Sequence, residues 1–208
     1  MSASKRLMDI VISLALALVL WPVLLLLVII LAISEGRPIF YISERMKTPT
    51  QGFPLIKLRT MRHSAANTGV TGGDKSTRMS RLHRVLRKTR ADELPQLYNV
   101  LRGDISLVGP RPPLRIYVDA FPALYAQVLR SRPGVTGLAS LVYHAHEETL
   151  LARSTDAAQT DAIYRRACVP RKARLDLIYQ ANRSFCFDLW LIWETAKKPF
   201  ARKPASDD

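Results

Sequence analysis

Asp92 and Glu93 are the residues with the clearest capacity for chemistry. They stand adjacent, directly behind a run of cations, Arg84, Arg87, Lys88 and Arg90. Cations at that range favour the ionised form of a carboxylate and also hold phosphate oxygens. An ionised carboxylate can attack phosphorus, and a neighbouring one can hold a magnesium ion that bridges phosphates. The competing reading is structural: an acidic pair at a helix start caps amides and answers the helix dipole. Lys57, Arg59, Arg87 and Arg111 are further phosphate candidates. Arg111 lies between Pro110 and Pro112, so its backbone is pre-set and loses less entropy on binding.

The elements around these residues read from periodicity and turn chemistry. Residues 38–42 and 53–59 read as two short strands, with Pro49 and Gly52 in the turn between them. Residues 64–76 carry four of the loop formers, Asn67, Gly69, Gly72 and Gly73, and read as a linker. The spacing predicts a helix over 77–88, with Met79, Leu82, Val85 and Leu86 on its apolar face. A second helix begins with Asp92 as N-cap and ends at Gly103, with Leu94, Leu97, Tyr98 and Leu101 inward. Gly109 to Pro113 cannot be helix interior. Residues 117–130 read as a helix disturbed at Pro122, and 132–137 as a stiff turn. Residues 175–196 read as helix, ending in Phe185, Phe187, Trp190 and Trp193 followed by Lys197 and Lys198. That composition suits a segment lying at a membrane surface, although a core helix with a basic tail has the same letters.

Residues 10–34 are uncharged throughout, 25 residues with Trp21 and Pro22 near the middle. A straight helix of that length reaches about 36 Å, enough for a hydrocarbon core of about 30 Å. Pro22 lacks an amide hydrogen and its ring clashes with the carbonyl of Leu18. A bend there makes two arms of about 18 Å each, so the stretch either spans or enters and leaves by one face. Lys5 and Arg6 precede it, and Arg37, Arg45 and Lys47 follow, so both flanks carry the charge of a cytoplasmic side. The net charge is +14, which anionic lipid, a phosphate-rich substrate or nucleic acid would each explain. Cys168 and Cys186 fit neither a zinc spacing nor a disulfide framework, and four scattered histidines suggest no metal cluster.

Several ordered blocks resemble the small bacterial sugar transferases, the monotopic polyprenyl-phosphate phosphoglycosyl transferases. They are Lys5-Arg6 with Asp9, Lys57-Leu58-Arg59-Thr60-Met61, Leu86-Arg87-Lys88-Thr89, Asp92-Glu93-Leu94-Pro95-Gln96-Leu97, Asn99-Val100-Leu101, Gly103 to Pro112, and Arg132-Pro133-Gly134-Val135-Thr136-Gly137. The resemblance implies transfer of a sugar 1-phosphate from a nucleotide diphosphate sugar, with a uridine donor favoured, to a polyprenyl phosphate. It implies Asp92 as nucleophile, a covalent sugar-phosphate intermediate, Mg2+ held by Asp92 and Glu93, and nucleotide binding at Pro110-Arg111-Pro112. Arg132 joins the substrate-binding residues on the same basis. It implies an α+β, mainly helical fold with a re-entrant membrane helix broken at Pro22, a small β-hairpin and interfacial amphipathic helices. The expected organisation is a membrane segment over 1–35, a catalytic domain over 36–200 on the cytoplasmic face of a bacterial inner membrane, and a tail over 201–208. Membrane lipids are expected partners and nucleic acid is not; oligomeric state is left unassigned. The chain departs from the pattern at Trp21, where serine is usual, at His83, at Arg90-Ala91, and after Gly137, where Ser140 and His144-Ala145-His146-Glu147-Glu148 stand. A tethered phosphate-binding scaffold without turnover is the competing class.

Overall fold

The computed structural model describes residues 2–61, 70 and 78–198. The expected linker over 64–76, Val70 apart, and the tail over 201–208 lie outside the described residues. The architecture is mainly helical, in the order α1 (Ala3–Ser34), β1 (Phe40–Met46), β2 (Gly52–Leu58), α2 (Arg81–Thr89), α3 (Gln96–Arg102), β3 (Ser106–Val108), α4 (Arg115–Ala120), α5 (Pro122–Val128), β4 (Gly134–Thr136), α6 (Leu138–Ala152), α7 (Ala157–Ile163), α8 (Val169–Asn182) and α9 (Phe185–Lys197).

α1 is helical from Ala3 to Ser34 with Pro22 inside it, the residue type that kinks a helix without ending it. A proline removes a single backbone hydrogen bond and crowds one carbonyl, and the bonds on either side carry the helix through. Its middle is bare: Leu18, Val19 and Trp21 are 75%, 69% and 57% exposed. Its two ends are both fastened to the rest of the chain. At the start, Arg6 donates to the carbonyls of Val100 and Leu101, and the buried Asp9 accepts from Leu107 N–H. Lys5 pairs with the buried Asp188 at 2.6 Å, and Asp188 also accepts from the Tyr179 hydroxyl. At the end, Leu31 packs with Leu58 and Leu86, and Arg59 donates to the carbonyls of Glu35 and Gly36.

β1 and β2 form the expected antiparallel hairpin, with Tyr41 opposite Lys57 and Arg45 opposite Phe53. β1 runs further than expected, through Met46, because alternation continues and Met46 is fully buried. Residues 134–136, read above as turn, are instead a strand that pairs in parallel with β3, Ser106 to Gly134 and Val108 to Thr136. The approach is very close: a Cβ on Gly134 would lie 2.2 Å from the Gly109 nitrogen, so only glycine fits. The helix expected over 77–88 starts at Arg81, with Ser80 as N-cap, and buries His83 and Leu86 while Val85 is 57% exposed. The helical region expected over 175–196 is two helices, α8 and α9, with the second capped by Ser184. α9 keeps Phe185, Trp190 and Trp193 exposed and turns Leu191 and Asp188 inward.

Candidate active site

The dyad sits on a tight turn between two helices. α2 ends at Thr89, and Arg90 takes a left-handed conformation, φ 57, which redirects the chain. Ala91–Glu93 then form a short 3-10 turn. Asp92 is therefore not the N-cap of a helix: α3 begins at Gln96, behind Pro95. The reason lies in Pro95, which has no N–H to return to Ala91, so the chain bonds in i→i−3 steps from Glu93 to Tyr98. At about three residues per turn, neighbouring side chains project about 120° apart, so Asp92 and Glu93 enter different surroundings. The inward face of α3 is also rotated from the expected one. Gln96, Asn99 and Val100 are buried and Tyr98 is 57% exposed.

Asn99 fixes the dyad against the hairpin. Its amide donates to Pro54 O at 2.9 Å and to Asp104 at 3.1 Å, and its carbonyl accepts from Ile56 N–H at 3.1 Å. That bracket sets Lys57, one residue on, beside the turn. The loop after β3 is held from the other side: Met46 N–H donates to Pro113 O at 3.0 Å and Arg45 to Pro112 O at 3.3 Å. This holds Arg111 over Glu93, with its guanidinium donating to Oε1 at 2.6 Å. Arg90 lies 3.8 Å from the other oxygen.

A cavity of about 560 Å³ opens beside this cluster, lined by Arg45, Lys57, Arg87, Arg90 and Arg111 together with Pro112. Asp92 and Glu93 are not among its lining residues, and their charges act on Lys57, Arg87, Arg90 and Arg111, which are. Arg59 lines the cavity too, but its guanidinium is engaged by the carbonyls at the end of α1. Pro110 is buried and accepts from Gly134 N–H at 2.8 Å. Arg132 stands apart, in a small recess with Lys5, Tyr179 and Arg183. The sequence reading counted Arg45 only as a flanking charge, although its alternation with Tyr41 and Ser43 along β1 assigns all three to one face. The far wall is made of His144, Glu147 and Glu148 of α6, which the sequence marks only as a departure from the family pattern, with Lys172 and Asp176 of α8, which it does not mark.

The two carboxyls are driven apart. Burial and the neighbouring Glu93 push Asp92 up to about 6, against Lys57, Arg87 and Arg111. Burial would also raise Glu93, but Arg111 and Arg90 overcome it and hold Glu93 down to about 2. The expectation that cations lower both therefore fails for Asp92, which is only 7% exposed and receives no direct ion pair among the described residues. Arg111 and Arg90 thus keep Glu93 an anion, while burial and Glu93 leave Asp92 above the usual carboxylate range. Opposite shifts of this kind separate a structural charge from a reactive one. Burial, with Arg45 and Arg111, brings Lys57 down to about 8.

Among the described residues no three His, Cys, Asp or Glu side chains converge on a possible metal position. With both Glu93 oxygens facing arginines, Asp92 is the member of the dyad that would be left to hold a magnesium ion. Such an ion is commonly bound by one or two carboxylates and completed by substrate phosphates and water, which fits this donor set.

The family model for bacterial sugar transferases matches residues 1–202. A UDP-N-acetylgalactosamine-undecaprenyl-phosphate N-acetylgalactosaminephosphotransferase of Aeromonas hydrophila is 29% identical over 93% of this chain and 43% of its own length. A UDP-glucose:undecaprenyl-phosphate glucose-1-phosphate transferase of Caulobacter vibrioides is 36% identical over 76% of this chain and 62% of its own length. The chain thus spans less than two thirds of these two relatives. The exopolysaccharide production protein PSS of Rhizobium leguminosarum bv. phaseoli is 32% identical over 95% of this chain and 96% of its own length. The chain belongs to the bacterial sugar transferase family.

Proposed function

We propose that this bacterial sugar transferase moves a sugar 1-phosphate from a UDP-sugar to a polyprenyl phosphate, through a covalent intermediate on Asp92. The observation that carries the reading is the divided dyad: Glu93 paired with Arg111, and Asp92 buried, without an ion pair among the described residues, and raised to about 6 beside a cationic cavity. At pH 7.5 such a carboxylate is almost wholly ionised, yet more basic than an ordinary aspartate. An Asp92 oxygen bonds to the phosphorus that carries the sugar, and the bond from that phosphorus to the bridging oxygen breaks. UMP leaves with the electron pair. An oxygen of the polyprenyl phosphate then attacks the same phosphorus and returns Asp92 as a free carboxylate. Lys57, Arg87 and Arg111 offset the phosphate charge, and Lys57 regains full protonation as the diphosphate enters. Mg2+, held by Asp92 and the donor phosphates, would supply further charge neutralisation at the leaving phosphate.

The acceptor is a lipid, and the fold offers a reason to read the membrane segment as re-entrant. Both ends of α1 are fastened to the same body while the middle is bare apolar surface. A spanning helix would separate its ends by about 30 Å of hydrocarbon, which polar anchors such as Arg6 and Arg59 could not bridge. Entry and exit by one face, the cytoplasmic face of the inner membrane, keeps the dyad at the headgroup level where lipid phosphate and soluble donor meet. The exposed Trp190 and Trp193 of α9, with Lys197 beside them, suit the same surface.

The test uses the full chain in detergent with undecaprenyl phosphate, Mg2+ and UDP-sugars labelled in the sugar. UMP release should require Asp92, and without acceptor the label should stay on the protein. UMP release by Asp92→Asn at near wild-type rate would end the covalent reading. Binding of the lipid phosphate with no UMP from any donor would favour the tethered scaffold.

A further inference from the structure

α6 turns one face to the cavity: Ser140, His144, Glu147, Glu148 and Leu151 recur at helical spacing and all line it. The opposing lining is cationic. Arg87 and Arg90 feel the charge of Glu148, and Arg111 that of Glu147. Carboxylates in contact with a diphosphate would repel it, so this wall meets an uncharged part of the molecule that fills the cavity. Glu147 is engaged, both its oxygens accepting from the Lys172 ammonium at 2.9 and 3.0 Å, which also donates to the Tyr164 hydroxyl. Glu148 and His144 remain, with Nε2 of the imidazole 3.5 Å from a Glu148 oxygen. Partial burial, together with Arg90, Arg111 and Lys198, holds His144 below the usual imidazole range, so at pH 7.5 the ring is neutral. A neutral imidazole offers one N–H and one lone pair, and a carboxylate accepts twice. Adjacent hydroxyl groups are the complement of that set.

We propose that His144 and Glu148 form the sugar-recognition wall, hydrogen-bonding two vicinal hydroxyls of the donor's hexose and so deciding which epimer is transferred. The inference rests on the transferase reading above. Ribose also carries vicinal hydroxyls, but the hexose is bonded directly to the attacked phosphorus. Arg87 acts on both Asp92 and Glu148, so the wall and the nucleophile share a cation. Ribose would lie a phosphate further away. Two relatives are named for different donors, glucose and N-acetylgalactosamine, as a varying wall would require.

The experiment compares the wild-type chain with Glu148→Gln and His144→Ala, using UDP-glucose, UDP-galactose and their N-acetylamino counterparts with undecaprenyl phosphate. The side chains are 70% and 41% exposed, so neither change should unfold the protein, which the unfolding midpoint checks. For the preferred donor kcat/KM should fall about 10- to 100-fold, the range expected for losing hydrogen bonds to a charged or buried partner. The preference between epimers should compress at least about tenfold, while inhibition by UDP changes less than about twofold. Unchanged epimer preference would overturn the proposal. So would a UDP inhibition constant that rises in step with KM, because the wall would then meet ribose or diphosphate. Failure of the transferase reading looks different: the wild type would bind UDP and release no UMP from any of the four donors.

Discussion

Replacing Arg111 with alanine should uncouple the dyad. The guanidinium lies 2.6 Å from Glu93, whose side chain is only 10% exposed, and Arg90, at 3.8 Å, is too distant to replace it. Holding a carboxyl at about 2 instead of 4.5 amounts to about 3 kcal/mol in favour of the ionised form. Arg111 is itself 36% exposed and Arg90 shares the charge, so the loss on removing it falls below the range for a fully buried pair, at about 2–3 kcal/mol. In a chain of this length that is a fall of about 4–12 °C in the unfolding midpoint. The pH dependence follows from the sign. Because the folded value lies below the unfolded one, the contribution is complete above about pH 4.5 and is lost as pH falls toward about 2. The gap between wild type and Arg111→Ala should therefore be full at pH 7.5 and less than half as large at pH 3. Tryptophan fluorescence in detergent, with denaturant at both pH values, reads it. A double-mutant cycle with Glu93→Gln isolates the coupling. A midpoint within about 2 °C of wild type at pH 7.5, together with a coupling below about 0.5 kcal/mol, would refute this account of the Glu93–Arg111 pair. The sequence marks Arg111 as a phosphate candidate, and its contact with Glu93 gives it a stabilising part as well.

Three further outcomes follow from the geometry. Asp92→Asn should abolish UMP release yet raise the unfolding midpoint at pH 7.5, because an aspartate raised to about 6 contributes stability below about pH 3.8 that is lost as pH rises through 6; no gain over wild type above pH 7 would contradict its burial. For the same reason wild-type kcat/KM should fall roughly tenfold per unit below about pH 6, and a profile flat to pH 5 would exclude Asp92 as the titrating nucleophile. Cysteines introduced at Ala3 and Arg153, in a Cys186→Ser background since Cys186 is exposed, should both resist an impermeant maleimide in cells with only the outer membrane opened; labelling at Ala3 alone would establish a spanning helix.

The sequence alone determined what depends on neighbours along the chain. Twenty-five uncharged residues mark one long apolar helix, because length and composition along the chain are all that reading needs. The hairpin, the Gly103 stop and the Pro122 break are equally local, since each follows from a pleat or a single φ. Asp92-Glu93 stood out from residue type and spacing. What distinguishes the two carboxylates was not legible, because it depends on Arg111 arriving from a loop eighteen residues away in the chain. That loop is aimed by a parallel β3–β4 pair, a non-local contact between two three-residue strands too short to show a period. Asn99 looked like part of a helix and is a bracket to the hairpin, since its partners lie 43 and 45 residues back. The α6 wall was invisible for the same reason: His144 and Glu148 are ordinary surface letters until tertiary packing sets them across a cavity from Arg87 and Arg90.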